Sequence, residues 1–467
     1  MNIKEHIQPL ITLIKKAQKD PTLELEVVLK NKINQDTFDR VIKKIKGIPN
    51  ITLQSSSESL DVFVPKNDFR VSILGGNSIT KFCKNNKLSE VNERNITIMK
   101  KSKADSVDVS DYDIRFNLKK EERKELSDFD LNAWDKEGKY FRYKKRFSYI
   151  TPDKLFSFDF TVLKSSPKII TNEKNYKKKK KDVTEFMKRF VIKPKKVDFE
   201  EWWDKLSNVD MVELQGKKKF EYKYSKAFDS SGVLENQLEY EIELEWLGNN
   251  INYKEEHRKI LDIIIQHVGI ILQGVNKSNF IISNEDTKQV MYEYNKLMGT
   301  NKFSAPQNVT LEHHHIKKHS YVDYKQLFSI RRNYSVTEKA DGERNLCIIL
   351  NNGQAFLMNR KSEIKPLGCS IKGFENSILD GELILKDKND RNIMLFAVFD
   401  IYFQNKTDLR KRIFNRTSDE KEEGKIEISR DEILKEMFTD IKVENNTSTT
   451  IHFIKKQFYY GNQEKYN

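Results

Sequence analysis

Two groups of glutamates in this chain recur at a spacing of two. Glu24 and Glu26 lie in Leu23-Glu24-Leu25-Glu26-Val27-Val28-Leu29, and Glu241, Glu243 and Glu245 lie in Tyr240-Glu241-Ile242-Glu243-Leu244-Glu245. Alternate residues of a strand share a face, so each group sets its carboxylates on one side and its apolar residues on the other. Like charges packed this closely repel unless water or a cation screens them. Mg²⁺ and Mn²⁺ take oxygen ligands, so two such strands facing one another make a candidate metal site. A solvent-facing glutamate strand is the competing reading. Between the two groups, Arg142, Lys144 and Arg146 alternate in Phe141-Arg142-Tyr143-Lys144-Lys145-Arg146-Phe147, and Arg70, Arg115 and Lys119 lie in other strand-like runs. If these strands close into a barrel, inward cations opposite inward carboxylates hold a polyphosphate. The metal then polarises the terminal phosphorus and orients a water for in-line attack. For any one strand, an outward salt-bridged sheet accounts for the pattern equally well.

A second chemistry centres on Val336-Thr337-Glu338-Lys339-Ala340-Asp341-Gly342-Glu343-Arg344. A lysine at a strand end followed by Asp-Gly sets an amine beside a tight turn. The amine is nucleophilic only when neutral, which desolvation and a nearby cation such as Arg344 favour. An ordinary hairpin turn explains Asp-Gly alone, but three later features argue for more. Ser377-Ile378-Leu379-Asp380-Gly381-Glu382-Leu383 is a strand with an acidic pair at a glycine. Leu395-Phe396-Ala397-Val398-Phe399-Asp400-Ile401-Tyr402 is an apolar strand with an aromatic able to stack on a base. Arg410 and Arg412 then supply cations.

The elements that carry these residues follow from periodicity. Ile7, Leu10, Ile11 and Ile14 predict a first helix. Phe38, Val41, Ile42 and Ile45 predict a second, capped by Asp36 and ended by Gly47. From about 50 to 163 strands dominate, and strand pattern returns at Lys219–Ala227 and Gln237–Leu247. Residues 255–300 read as helical, with Ile260, Ile263, Ile264, His267 and Ile271 on one side. Strands resume after Pro306, interrupted by a charged helical piece near 430–438. This divides the chain into a first domain over 1–248, a helical linker over 249–300 and a second domain over 301–467.

Composition narrows the function classes. Lys and Arg number 84 against 70 Asp and Glu among 467 residues, a formal charge of +14. Such an excess favours a polyanionic partner through counterion release. Aromatics at 11% exclude a disordered chain, and no apolar run is long enough to span a membrane. Cys83, Cys347 and Cys369 are too few and scattered for a disulfide framework or a zinc ribbon. A soluble protein of a reducing compartment is expected, with Cys347 a buried thiol and Cys369 a loop residue. The run Lys177–Lys181 reads as a solvated insertion or a phosphate-backbone contact. The cluster of His313, His314, His315 and His319 reads as a solvated loop rather than a metal site.

The first set of motifs resembles the triphosphate tunnel metalloenzymes, specifically the metal-dependent RNA triphosphatases, over about 20–248. The resemblance rests on Glu24-x-Glu26, the closing Glu241-x-Glu243-x-Glu245 and the basic strands between. It implies an eight-stranded antiparallel β tunnel in which the glutamates carry Mg²⁺ or Mn²⁺. Glu24 and Glu26 are then catalytic, and Arg70, Arg115, Arg142, Lys144 and Arg146 grip phosphates. Asp159, in Phe158-Asp159-Phe160-Thr161, matches an acidic position of the tunnel lining.

The second set, K-x-D-G-x-R, then D-G-E-L, then F-x-x-F-D, resembles the covalent nucleotidyltransferases: mRNA guanylyltransferases and ATP-dependent ligases. It implies an α+β nucleotidyltransferase domain, with Lys339 forming a lysyl-nucleotide as pyrophosphate leaves. Thr337, Glu338, Asp341 and Gly342 then belong to the GTP site. Arg344 and Glu382 hold the ribose and its phosphate, Phe399 or Phe396 stacks on the purine, and Asp380 and Asp400 back the site or touch metal. Thr337 stands where ligases usually have glutamate, and Ala305–Glu312 is similar to the lead-in of capping enzymes of large DNA viruses. The later acidic-glycine strand and K-x-K pair have no match; Glu423-Gly424-Lys425-Ile426 fits poorly, and Ile451–Tyr460 is similar to the segment before them. The expectation is the amino-terminal part of a capping enzyme, with a partner segment or chain carrying the missing motifs, the oligonucleotide-binding fold and a methyltransferase. Its substrates are 5′-triphosphate RNA and GTP, and its place is the host cytoplasm or the virion. An RNA-repair protein with an ATP-dependent ligase, and an RNA-binding subunit with an inactive second half, are the alternatives.

Overall fold

The computed structural model describes residues 1, 3–64, 69–128, 131–170, 220–248, 256–307, 309–316, 334–415, 427–445 and 451–461. The run Lys177–Lys181, His319 and Glu423–Ile426 lie outside the described residues. The chain divides into two units: 3–109 with 114–268, and 269–467 with 1–2 and 110–113.

In the first unit, α1 (Ile7–Lys19) precedes β1 (Leu23–Leu29), and α2 (Gln35–Lys46) follows it. Asn34 caps α2, its side chain accepting from the Thr37 N–H; Asp36, the expected cap, lies inside the first turn. Asn34 has the extended backbone a cap requires. Gly47 closes the helix as expected. Seven further barrel strands follow: β2 (Thr52–Phe63), β3 (Arg70–Leu74), β4 (Ile96–Val109), β5 (Ile114–Lys124), β6 (Tyr140–Ile150), β7 (Phe156–Ser165) and, after the short pair β8 (Lys168–Ile170) and β9 (Phe220–Tyr222), β10 (Glu239–Trp246). Of the strand expected over Lys219–Ala227, the described part is thus only β9.

Eight strands close in the order β1-β10-β7-β6-β2-β3-β4-β5, every pair antiparallel. This is the tunnel expected from the motifs. Its outward positions are apolar: Leu25, Val27, Phe116, Leu118, Phe158, Phe160, Ile242 and Leu244 are all buried. Helices cover that face. Phe38 of α2 meets the rings of Phe160 and Tyr240, and α3 (Gly76–Asn85) adds Ile79 and Phe82 to a cluster with Leu60, Val62, Val71, Ile73 and Phe141. His267 of α5 (His257–Val275) stands edge-on to Phe156 and Phe158. The core therefore wraps the outside of the barrel, each large side chain contributing about 1.5–3 kcal/mol on burial. The interior is left to polar groups. Between β5 and β6 lies the short helix α4 (Leu131–Lys136).

In the second unit, α6 (Asn284–Met298) begins at a capping box formed by Ser283 and Asp286. A short turn of helix, α7 (His313–Ile316), holds three of the histidines. The sheet comprises β12 (Glu343–Ile349), β13 (Gln354–Asn359), β14 (Ile364–Lys372), β15 (Ser377–Lys386), β16 (Asn392–Gln404), β17 (Thr407–Asp408), β18 (Lys442–Asn445) and β19 (His452–Lys455), in the order β17-β16-β15-β12-β13-β14-β18. β19 pairs with β16 in parallel, and β11 (Tyr334–Val336) pairs with β20 (Tyr459–Gly461) apart from the sheet. Val290, Tyr294 and Met298 of α6 pack with Leu346, Ile348 and Met358. Ile433, Leu434 and Met437 of α8 (Arg430–Asp440) pack with Cys347, Leu379, Phe396 and Val398. Cys347 is buried, as expected. Cys369 is not a loop residue: it lies in β14 and is buried, because its side chain faces the same cluster. Among the described residues no helix is long and apolar enough to cross a membrane.

Candidate active sites

The barrel encloses a cavity of about 270 Å³ lined entirely by charged side chains: Glu24, Glu26, Asp159, Glu241, Glu243 and Glu245 on the acidic side, and Arg70, Lys101, Lys119, Arg142, Lys144 and Arg146 on the basic side. Strand register explains the gathering. β1 and β10 pair Glu26 with Glu245, β10 and β7 pair Glu243 with Asp159, and β1 and β5 pair Glu24 with Lys119. The two glutamate groups, far apart in the chain, thus lie on adjacent strands of one wall.

Each cation meets an acid. Arg146 donates to Asp159 at 3.1 Å and Glu243 at 2.9 Å, Arg142 to Glu241 at 2.7 Å, and Lys101 to Glu24 at 2.9 Å. Lys119 pairs with Glu26, which also accepts from the Asn117 amide at 3.1 Å. Behind the lining, Asp61 is fully buried and holds Lys144 at 2.5 Å, with Arg70 at 3.8 Å; Glu121 pairs with Lys101. Burial works against the charged form of Asp61, but Lys144 and Arg70 outweigh it and hold the carboxyl below its ordinary range. Arg70 has donors to spare: among the described residues its Nε is buried without a hydrogen-bond partner, and one terminal nitrogen faces only the Met99 sulfur at 3.7 Å.

Two glutamates behave differently. Burial pushes Glu245 up to about 8, aided by the charges of Glu24 and Asp159. Burial also raises Glu24, against the pull of Lys101. Glu243 is the reverse case, since Arg146, Lys119 and Lys101 overcome the effect of burial and lower it. Among the described residues no three acidic, histidine or cysteine side chains converge closely enough to chelate a metal as they stand. The charge count nevertheless suits one. Asp61 and Glu121 bring the acidic side chains, each counted as ionised, to eight against six cations, and among the described residues Glu245 has no ion-pair partner. A single divalent ion balances that excess, and an all-oxygen donor set is what Mg²⁺ or Mn²⁺ takes.

One expected phosphate ligand is absent from this ring. Arg115 does not line the cavity; Asp108 holds its guanidinium at 2.5 and 2.9 Å. It shares a face with Lys119 but sits four residues earlier, at the start of β5 opposite Val28, beyond the ring. Lys101 and Lys119 take its place. Lys119 is among the cations named from the sequence; Lys101 does not stand out there, because it sits in a lysine-rich run without alternation. Asp61, a lone acid between Leu60 and Val62, was the available signal for the buried anchor.

In the second unit the lysine segment is tied at both ends. The Thr337 hydroxyl donates to the Gln457 carbonyl at 2.7 Å, and the Gly342 N–H donates to Glu382 at 3.0 Å. Glu338, Lys339 and Asp341 between these anchors are exposed. Gly342 is needed for close approach: a Cβ there would stand 2.5 Å from the Leu383 carbonyl oxygen. Gly381 is needed for the same reason, with the Phe396 ring 2.6 Å from its would-be Cβ.

Arg344 donates to Asp380 at 3.1 and 2.6 Å and to the Pro306 carbonyl at 2.7 Å. Asp380 is fully buried and also accepts from the Tyr402 hydroxyl. It is a support for Arg344 and is enclosed away from any metal. Asp400 is likewise no open ligand, since Arg430 donates to both its oxygens at 2.8 and 3.1 Å. Phe396 is buried in the core against Phe453, which leaves Phe399 as the accessible aromatic. The Arg344 guanidinium lies 5.5 Å from the Phe399 ring centre and the Lys456 ammonium 5.9 Å from it. Arg410 is paired to Asp408, and Arg412 donates to the Ile428 carbonyl. Arg430 and Lys456 were not identified from sequence; Arg430 reaches Asp400, and Lys456 reaches Phe399, only through the long-range packing of α8 and of β19, which Lys456 follows.

Residues 272–449, a span that includes Lys339, Arg344, Asp380 and Glu382, match the family described as the mRNA capping enzyme catalytic domain. The chain is 25% identical over 418 residues to a probable mRNA-capping enzyme of Acanthamoeba polyphaga mimivirus, the match covering 86% of this chain and 29% of that protein. It thus spans less than a third of that relative's length. Among solved structures, the RNA triphosphatase domain of a trifunctional mimivirus mRNA capping enzyme is similar at 18% identity, over 57% of this chain and 97% of that one, with a TM-score of 0.35. An RNA triphosphatase of S. pombe is similar at 9% identity, over 57% of this chain and 91% of that one, with a TM-score of 0.32.

Proposed function

We propose that this chain, a relative of viral mRNA-capping enzymes, performs the two opening steps of mRNA 5′ capping. The unit ending at Val268 removes the γ-phosphate of 5′-triphosphate RNA. The unit from Gly269 onward takes GMP from GTP onto Lys339 for transfer to the resulting diphosphate end. The observation that supports the first assignment most directly is the cavity inside the closed barrel, whose lining among the described residues is twelve charged side chains and nothing else.

In that cavity Arg70, Lys119, Arg142, Lys144 and Arg146 bind the non-bridging oxygens of the triphosphate. Arg70 does so with donors it does not otherwise use. The other cations exchange a carboxylate for a phosphate oxygen, so the tunnel is preorganised and little side-chain ordering accompanies binding. Glu24, Glu26, Glu241, Glu243 and Glu245 would hold a divalent ion. When bound, that ion would supply Lewis-acid polarisation of the γ-phosphorus and activation of water. Arg146, fixed between Asp159 and Glu243, positions the face on which charge builds as the bond to the β-phosphate breaks.

In the second unit the neutral Lys339 amine attacks the α-phosphorus of GTP. A phosphoramidate bond forms, the α–β bridging bond breaks, and pyrophosphate leaves. Arg344, held by Asp380, and Glu382, held by the Gly342 N–H, orient the nucleotide, while Phe399 offers a face for the purine. The family match over this segment favours guanylyl transfer over the ligase reading.

Two assays test the proposal. Phosphate release from triphosphate RNA with Mg²⁺ or Mn²⁺ is expected to fall at least ~100-fold in Glu24→Ala/Glu26→Ala; an undiminished rate removes the metal assignment. Incubation with α-labelled nucleotide is expected to label the chain from GTP, with the label lost in Lys339→Ala. Label from ATP alone overturns the guanylyl reading.

A further inference from the structure

A second cavity, of about 760 Å³, adjoins the charged one in the same unit and shares Glu26, Lys119, Glu241 and Glu243 with it. It opens where β1 ends and β10 begins, between the segment 30–35 and the segment 236–239. Its chemistry differs from that of the interior. Four lysines in its lining (Lys30, Lys32, Lys119 and Lys168) are matched by four glutamates (Glu26, Glu239, Glu241 and Glu243), so it carries no net formal charge. Six amide side chains dominate the rest: Asn31, Asn34, Gln35, Asn117, Asn236 and Gln237. Three of these are already engaged. Asn34 caps α2, Asn117 donates to Glu26, and Asn236 donates to the Ser165 carbonyl at 2.9 Å. Asn31, Gln35 and Gln237 have side chains with no hydrogen-bond partner among the described residues, and Leu238 beside them is 50% exposed.

We infer that this mouth is the binding site for the 5′-terminal nucleoside of the RNA, and that the RNA enters the tunnel from the Glu239 end of β10. The inference rests on the triphosphatase reading above and extends it. A neutral, amide-rich wall does not attract further phosphate, but amides match the mixed donors and acceptors of a base edge and a ribose. Leu238 and Leu29 offer apolar surface against which a base can lie. The volume falls within the range of roughly 300–1,000 Å³ typical of small-molecule sites, room for a nucleoside with its triphosphate threaded inward past Glu241 and Glu243. The opposite end, where Leu53 of β2 stands opposite Tyr149 of β6, is then the side through which the nucleic acid does not pass.

The test compares two substrates, triphosphate-ended RNA and inorganic tripolyphosphate, which lacks the nucleoside. With Asn31→Ala/Gln237→Ala, and separately with Leu238→Glu, KM for RNA is expected to rise about tenfold, with kcat/KM for tripolyphosphate within twofold of wild type. Leu53→Glu, exposed at the other end, is expected to change neither. Three results overturn the inference: unchanged KM for RNA in both mouth variants, equal losses on the two substrates, or a loss with Leu53→Glu in place of Leu238→Glu. Failure of the triphosphatase reading is distinct, because the wild-type chain then releases phosphate from neither substrate.

Discussion

The barrel interior and the surroundings of Lys339 use the same currency of paired charges in opposite ways. In the barrel, cations and carboxylates face each other across a cavity, and each pair borders space that a ligand can occupy. Around Lys339 the pairs are sealed: Arg344 with Asp380 and Tyr402, and Arg430 with Asp400, form the framework, while the lysine itself is exposed between two anchored ends. A polyphosphate must be met from several sides at once, which demands a ring of exchangeable charges. A lysine nucleophile, the role proposed for Lys339, needs one accessible amine above a fixed floor. The difference teaches that charge pairing serves as the binding surface in one unit and as scaffold in the other.

Deleting one acid from each unit breaks or sharpens that contrast. Asp380→Asn leaves Arg344, 11% exposed, without its counter-charge. The expected loss is about 3–5 kcal/mol from the second unit. Asp159→Asn leaves Arg146 still bound to Glu243 at 2.9 Å, and about 1 kcal/mol is expected from the first. Urea unfolding monitored separately for the two transitions gives both values. Equal losses would mean that the tunnel pairs are scaffold too.

The next effect is a pH dependence confined to the tunnel. The folded-state value of Glu245 is about 8, against an ordinary carboxyl value of 4.5. A folded chain that keeps this proton longer than the unfolded chain loses stability as pH rises from about 5 to 8, and the loss levels off above 8. Without divalent metal, on the order of 2 kcal/mol is at stake after allowing for solvent screening. Melting curves in a chelator from pH 5 to 9 are expected to show this decline in wild type and not in Glu245→Gln. An identical decline in the variant would place the titration elsewhere.

What the sequence makes readable follows the same division. Inward tunnel residues obey a period of two, so Glu24, Glu26, Arg142, Lys144, Arg146 and the three glutamates of β10 declare their shared face without any knowledge of the fold. Closure is what the pattern cannot show: that Glu26 lies opposite Glu245 depends on register between strands at the two ends of the unit. Lys101 was hidden because neighbouring lysines mask alternation; Lys100, for example, turns outward over the Phe69 ring. In the second unit the motif residues are recognisable, but their partners are not. Nothing local to Asp400 indicates that Arg430 will fold back onto it. Nothing in Phe396 and Phe399, three apart on one strand, says which is core and which is free, until the bulges between β15 and β16 set their faces.

The smallest expected effect tests the finest distinction, that between a residue on the correct face and a residue in the ring. Arg115 and Lys119 both point inward from β5, yet only Lys119 reaches the charged cavity. The Arg115 guanidinium is 39% exposed and committed to Asp108, which Lys30 also approaches at 3.2 Å. Arg115→Ala is therefore expected to leave phosphate release from triphosphate RNA within about twofold of wild type, as an exposed ion pair is worth little. Arg70→Ala removes a partly buried guanidinium with unspent donors, and a loss of roughly ten- to a hundredfold in kcat/KM is expected, the worth of a hydrogen bond to a charged group. Steady-state kinetics on the two variants with tripolyphosphate and with RNA separates the cases. If Arg115→Ala matched Arg70→Ala on tripolyphosphate, the polyphosphate would have to extend past the ring to the start of β5, and the boundary between a charged interior and a neutral mouth would have to move with it.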